Sequence, residues 1–149
     1  MDPRFGWAWE CTGWTLVLCG HGEATLDCFR RAVALKGPRA PLSACLAGVG
    51  AAHFGSGHFV EAARWIRRAL AQNPGAAWLN RILASCLIAC GDLHAAAASI
   101  DCLLHVHPDL TARYVLSRAA ELLPHSDDGW VHDTQDKIAN GLISPGLPT

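Results

Sequence analysis

Apolar residues recur along this chain at the three- and four-residue spacing of helices that bury one face. We expect first helices at residues 6–18, 42–54 and 77–89, each followed by a second helix at residues 24–35, 60–72 and 94–106. A further helix is expected at residues 111–123. Beyond Pro124, Asp127 and Asp128 are typical of a helix N-terminus, and Asn140-Gly141 ends that helix before a Pro/Gly-rich tail.

The helical pattern repeats with a fixed period. Gly57 and Gly91 are 34 residues apart, and Pro74 and Pro108 have the same separation. An earlier, looser copy surrounds Gly20, which lies 37 residues before Gly57. About three residues are therefore inserted, and we place them at residues 36–40, where Gly37 stands in the position of the proline.

Each residue type that recurs at the same position of the repeat has a structural explanation. A glycine after the first helix permits the left-handed backbone of a tight stop, and a proline ends the second helix. Small residues at the same offsets allow two helices to approach closely, and bulky residues fill the space between them. The predicted structural positions are Gly13, Gly20, Gly50, Gly57, Ala62, Ala69, Pro74, Ala84, Gly91, Ala96 and Pro108, with bulky partners Trp9, Leu46, Phe59, Ile66, Leu93 and Ile100.

This combination of residues resembles the tetratricopeptide repeat. The resemblance implies an all-α fold, a superhelical stack of about three helix-turn-helix repeats at residues 6–40, 43–76 and 77–110. Residues 1–124 then form the repeat region, with residues 111–123 as a capping helix. Residues 125–149 form a C-terminal helix and tail.

The order of segments is also similar to the C-terminal tail of bacterial adenylate/guanylate cyclase-type signalling proteins. The similarity rests on Gly13-Trp14, on residues 29–32, 52–54 and 107–111, and on the ending at residues 140–148. It implies a piece of a longer protein, because Asp2-Pro3 is how a preceding repeat would end. No residue of a cyclase active site can be assigned.

In such a stack the first helices line the concave face, which favours a protein or peptide partner. The residues predicted to line this groove are Trp7, Glu10, Trp14, Phe54, Trp78, Arg81, Ser85 and Ile88. Alternatively, Trp7 and Trp78 pack against neighbouring repeats. Some tetratricopeptide domains bind a peptide carboxylate through Lys and Asn side chains on these first helices. In this chain the equivalent repeat positions hold Glu10, Trp14, Gly48, Trp78 and Ile82. Carboxylate binding of that kind is therefore not expected.

Composition narrows the classes of function. The chain is 51% hydrophobic and 17% charged with a net charge of −1, so some apolar surface is expected to be covered by a partner. No run of Lys or Arg exists, which argues against nucleic acid. The uncharged residues 40–60 are rich in Gly, Ala and His, which argues against a membrane span. The N-terminus lacks the features of a signal peptide, so we expect a cytoplasmic protein.

Seven cysteines, an odd number, lie in the helical segments and are expected to be reduced and buried. Cys86, Cys90 and His94 have the spacing of metal ligands, but Gly91 interrupts the helix and no second ligand pair is present. No cysteine combines the features of a nucleophile. We therefore expect no cofactor, no metal and no catalysis. The expected function is a regulatory protein-interaction scaffold, with self-association as the alternative and a thiol enzyme or metal protein as a weaker one.

Overall fold

The computed structural model describes residues 4–37 and 40–111, which contain six helices and no strand. The helices are α1 (Arg4–Leu18), α2 (Gly22–Lys36), α3 (Ser43–Gly55), α4 (Phe59–Gln72), α5 (Leu79–Ala89) and α6 (Leu93–Val106). Every predicted helix in this range is confirmed, with ends within two residues of the expected ones. The helices predicted after residue 110 lie outside the described residues.

The chain divides between Ala76 and Ala77 into two compact units. In the first unit α1 packs against α2 and α3 packs against α4, while α3 also contacts both α1 and α2. In the second unit α5 packs against α6. The division falls between the second and third predicted repeats, and the fold is an all-α helical repeat.

Glycines end the three first helices in the same way. Gly20, Gly57 and Gly91 have φ angles of +76°, +77° and +81°, in the left-handed region that disfavours a side chain. The residue after each glycine donates its N–H to the carbonyl five residues earlier, at 2.9–3.0 Å. This hydrogen bond is that of a Schellman motif, which turns the chain sharply into the second helix.

The first helix pair is held together by a phenylalanine that lies against two glycines. Phe29 of α2 is 0% exposed, and a Cβ atom built on Gly13 of α1 would lie 2.8 Å from its Cζ atom. A Cβ atom on Gly48 of α3 would lie only 2.0 Å from the same atom. The Phe29 ring therefore occupies the space that a side chain at Gly13 of α1 or at Gly48 of α3 would fill.

The second pair repeats this arrangement with an aliphatic side chain. Ile66 of α4 is 0% exposed, and a Cβ atom on Gly50 of α3 would lie 2.7 Å from its Cδ1 atom. Ala62, Ala69, Ala84 and Ala96 are each 0% exposed. Leu93 differs from the prediction, because it begins α6 and is 58% exposed, so it fills no gap between helices.

Candidate functional site

The eight residues predicted to line a groove have very different surroundings. On α1, Trp7 is 65% exposed, whereas Trp14 is half-buried and packs edge-on against Phe29 with ring centroids 5.8 Å apart. Trp14 therefore belongs to the core of the first helix pair, as an aromatic contact of Phe29. Of the two tryptophans of α1 that were predicted to line the groove, only Trp7 is exposed.

Glu10, which was predicted to line the groove, is paired with side chains of two other helices. Its Oε2 atom accepts hydrogen bonds from Lys36 Nζ of α2 and from Cys45 Sγ of α3, the latter at 2.9 Å. The Glu10 and Lys36 side chains are only 13% and 15% exposed. The three side chains form a part-buried polar contact that joins α1, α2 and α3, and removing one charge would leave the other uncompensated.

Phe54 and Ser85 are buried, which corrects their assignment to an accessible surface. Phe54 is 3% exposed and packs edge-on against Phe59 of α4, with ring centroids 5.7 Å apart. Ser85 is 4% exposed, and its hydroxyl donates to the carbonyl oxygen of Arg81 at 3.0 Å. Neither side chain offers contact area to a partner in this conformation.

The start of α5 carries an aromatic side chain and a cation together. Trp78 precedes the helix and is 39% exposed, and the Arg81 guanidinium carbon lies 5.6 Å from the centroid of its ring. This distance is that of a cation–π contact. Ile88, on the last turn of the same helix, is half-buried.

Arg81 is half-buried without an acidic partner among the described residues. Its Nε atom is buried and has no hydrogen-bond acceptor, a condition that costs about 1–3 kcal/mol. Burial also lowers the pKa of Arg81 from its ordinary value. The first turn of α5 has no acidic residue to offset this charge.

The thiols divide into two groups, and the expectation that all are buried is wrong. Cys28, Cys45 and Cys86 are buried, whereas Cys11, Cys19, Cys90 and Cys102 are exposed, and all seven are free thiols. Burial raises the pKa of Cys86 to about 12, and burial together with the Glu10 hydrogen bond raises that of Cys45 to about 12. A thiol that stays protonated is a poor nucleophile.

Two imidazoles lie close together at the turn between α3 and α4. The ring centroids of His53 and His58 are 5.9 Å apart. Burial, and then the charge of His58, lower the pKa of His53 from 6.5, while Glu61 acts in the opposite direction. Among the residues that the structure describes, no group of three His, Cys, Asp or Glu side chains is placed to hold a metal ion.

The pairing of Glu10 with Lys36 and Cys45 has no signal in the local sequence, and neither has the uncompensated charge of Arg81. The Glu10 contacts join residues 26 and 35 positions apart, and no local spacing signals them.

Within the described part of the chain, no helix is long and apolar enough to span a membrane.

Residues 53–120 match a family model of the tetratricopeptide repeat. No curated protein matches the chain. Tetratricopeptide repeats generally mediate protein–protein interactions, and their all-α fold is typically a scaffold without catalytic activity. The six helices and this match together support an all-α helical repeat fold that is similar to the tetratricopeptide repeat over residues 53–120.

Proposed function

We propose that this protein is a non-catalytic scaffold that binds another protein through exposed side chains of its first helices. The observation that carries the proposal is the exposed Trp78 beside the half-buried Arg81, because Trp and Arg are the residues that most often dominate binding energy at interfaces. Burial and raised pKa values keep the thiols of Cys45 and Cys86 protonated near neutral pH, so these two cysteines are poor candidates for a nucleophile.

The finer proposal is a cytoplasmic regulatory module of a larger bacterial signalling protein. Its support is the similarity of Gly13-Trp14, of residues 107–111 and of the ending at residues 140–148 to the repeat tails of cyclase-type proteins. Free thiols at all seven cysteines agree with a reducing compartment. The genomic reading frame before Met1 tests this part: an in-frame cyclase or regulator domain supports it, and an in-frame stop codon directly upstream contradicts it.

The scaffold proposal is tested with matched aromatic and aliphatic truncations. Affinity enrichment from source cells first supplies a candidate partner, which is then purified and titrated calorimetrically against variants. Trp78→Ala removes an exposed side chain of the first-helix surface, and Val60→Ala removes one that is 70% exposed on α4, a second helix. We expect Trp78→Ala to weaken binding at least about tenfold, which corresponds to 1.4 kcal/mol, with Val60→Ala unchanged.

An equal effect of both truncations would place the interface elsewhere and refute the proposal. The thermal unfolding transition of Trp78→Ala serves as the control for folding. If Trp78→Ala unfolds the chain, Trp78 is a core residue and the assignment of this surface is wrong.

Self-association is a second candidate, favoured by the outer face of α1. Phe5, Trp7 and Leu18 are 61%, 65% and 45% exposed. Glu10 is the single charged residue between positions 5 and 20, and it is paired with Lys36. Because this outer face of α1 carries no unpaired charge, two copies of the chain can pack through it without like-charge repulsion.

The equivalent face of α3, the first helix of the next repeat, indicates what this face of α1 can pack against. The α1 positions Ala8, Cys11 and Thr15 are exposed, whereas their α3 equivalents, 37 residues later, are Cys45, Gly48 and Ala52, which are buried. Gly48 and Cys45 pack there against Phe29 and Glu10 of the preceding helix pair. The same face of α1 is therefore suited to another helix pair, and we assign a second copy of this chain to it.

Light scattering over a range of protein concentrations tests this second candidate. A dimer that Leu18→Glu dissociates and Val60→Glu on α4 leaves intact would support it. A monomer at every concentration would refute it and would leave the scaffold proposal untouched.

A further inference from the structure

We propose that the arginines of α2 and α4 form a second docking surface, and that its occupant is an acidic segment of a partner protein. The exposed arginines of these two helices, the arginine face, are Arg30, Arg31, Arg64, Arg67 and Arg68. This surface lies on second helices, so the proposal goes beyond the first-helix surface around Trp78 and does not depend on it.

The repeat places these arginines on one side of the first unit. The buried positions of α2 recur 37 residues later as buried positions of α4, and the pairs are Thr25 and Ala62, Phe29 and Ile66, and Ala32 and Ala69. Both helices therefore turn the same side outward. Arg30 and Arg67 are also such a pair, and so are Arg31 and Arg68. Residues at the same position of successive repeats lie on the same side of a stack, so one ligand that crosses α2 and α4 meets both pairs.

The positive charge of the arginine face is not balanced within the described part of the chain. Asp27 and Glu61 pair with two of the arginines, at 3.0 Å and 3.4 Å. The other three are exposed and have no carboxylate partner among the described residues, and they are Arg30, Arg67 and Arg68. Glu23 is in the first turn of α2, about two helical turns before Arg30. The face therefore keeps an excess of positive charge for a partner to neutralise.

The arginines of α4 repel one another in the absence of a partner. Arg64 lies three residues before Arg67 and four residues before Arg68, and like charges at this spacing destabilise a helix. The second helix of the third repeat does not have this arrangement. Among its residues α6 contains no Lys or Arg, and Asp101 occupies the position 34 residues after Arg67. The fold of a helix pair therefore does not require these arginines, and an anion bound across them would offset their repulsion.

Two of the guanidinium groups are held against tryptophan rings. The guanidinium carbon of Arg31 lies 4.6 Å from the ring centroid of Trp9, and that of Arg68 lies 4.5 Å from the ring centroid of Trp65. A ring on one side restrains the plane of a guanidinium and leaves its N–H edges available. Because both arginines are exposed, their paired N–H donors can meet the two oxygens of a carboxylate.

The surroundings of the arginines favour a protein segment over a nucleic acid or a membrane. Trp9 and Trp65 are half-buried with a guanidinium over the ring, so neither ring is placed to stack on a base or to insert into a lipid surface. Asp27 and Glu61 lie among the arginines, where a continuous row of phosphates would meet like charge. A polypeptide can place carboxylates opposite the arginines and neutral residues opposite these two acids.

The experiment measures binding to the whole chain by fluorescence anisotropy. The probes are a blocked, labelled peptide of glutamate and serine and its isostere with glutamine, and we expect the glutamate peptide to bind more tightly. Arg67→Gln should weaken its binding about fivefold, and added salt should weaken it further. The control is Lys137→Gln, which removes one positive charge outside α2 and α4 and should leave the affinity unchanged.

Thermal unfolding of Arg67→Gln separates binding from folding. The substitution removes a like-charge neighbour of Arg64, so the transition should stay where it is or rise. A lowered transition would mean that Arg67 stabilises the fold, which rejects the inference.

Four binding results would also overturn it. Equal affinity for the two peptides would show that carboxylates are not recognised, and an equal loss in Arg67→Gln and Lys137→Gln would show that the attraction is not local. Tighter binding of phosphatidylserine vesicles or of single-stranded RNA, lost in Arg67→Gln, would assign the face to another class of partner. Self-association that Arg67→Gln abolishes would assign it to a second copy of the chain.

The scaffold proposal and this inference fail separately. A purified partner whose affinity falls in Arg67→Gln and not in Trp78→Ala would retain the arginine face and reject the first-helix surface. A partner whose affinity falls only in Trp78→Ala, together with equal binding of the two peptides, would do the reverse.

Discussion

Gly48→Ala is the substitution with the most direct steric consequence. The added Cβ atom would lie 2.0 Å from Phe29 Cζ and 2.4 Å and 2.6 Å from two further ring atoms. Non-bonded carbon atoms are ordinarily about 3.5–4.0 Å apart. Because Phe29 is 0% exposed, the ring has no solvent-filled space to move into, and either the ring or α3 must shift.

The net loss of stability follows from two opposing effects. Overpacking a well-packed core costs about 1–3 kcal/mol, and so close an approach belongs at the upper end. Alanine gains about 1 kcal/mol over glycine inside a helix. The free energy of unfolding should therefore fall by about 2 kcal/mol, which lowers the melting temperature by roughly 4–8 °C for a domain of this size.

Urea unfolding followed by far-UV circular dichroism measures this change, and a double-mutant cycle identifies its cause. Phe29→Leu removes the ring atoms that the new methyl group meets. In that background Gly48→Ala should stabilise the protein by up to about 1 kcal/mol, since only the helix-propensity gain remains. Gly22→Ala on α2 is the control, because its Cβ atom would meet only the Ser56 hydroxyl at 3.0 Å.

A stabilising Gly48→Ala in the unmodified protein would refute the reasoning. So would the same loss of stability with and without Phe29→Leu, because the effect would then have no connection with the ring.

Three further predictions concern packing, pH and thiol reactivity. Ala62→Trp, at a helix crossing that is 0% exposed, should abolish the cooperative thermal transition, while Ala71→Trp at an exposed position of the same helix should retain it. Because the pKa of His53 is lower in the folded protein than in the unfolded chain, His53 binds a proton more tightly in the unfolded chain. The free energy of unfolding should therefore be independent of this group above pH 6.5 and should decrease as the pH falls below that value. His53→Gln should flatten this dependence in melting curves, and an unchanged slope would contradict it. A thiol-reactive chromophore should label four cysteines rapidly in the native protein and three more only after unfolding, whereas rapid labelling of all seven would contradict the burial described for Cys28, Cys45 and Cys86.

The sequence by itself determined the local structure. Helix position depends on the spacing of apolar residues over a few turns, and the stops depend on single residues such as Gly20, Gly57 and Gly91. Both are properties of neighbouring residues, so the ends of α1–α6 could be predicted to within two residues. The 34-residue period then indicated that these helices form pairs of one repeated kind.

Only the tertiary structure decided which side chains are accessible. Cys86 and Cys90 are one helical turn apart, yet Cys86 is buried and Cys90, at the C-terminal end of α5, is exposed. The Glu10 carboxylate accepts hydrogen bonds from side chains of two other helices, whereas Arg81 has no partner among the described carboxylates. These outcomes depend on how each helix is rotated and where its neighbour ends, and the free energies that set the rotation are summed over contacts between residues far apart in the sequence.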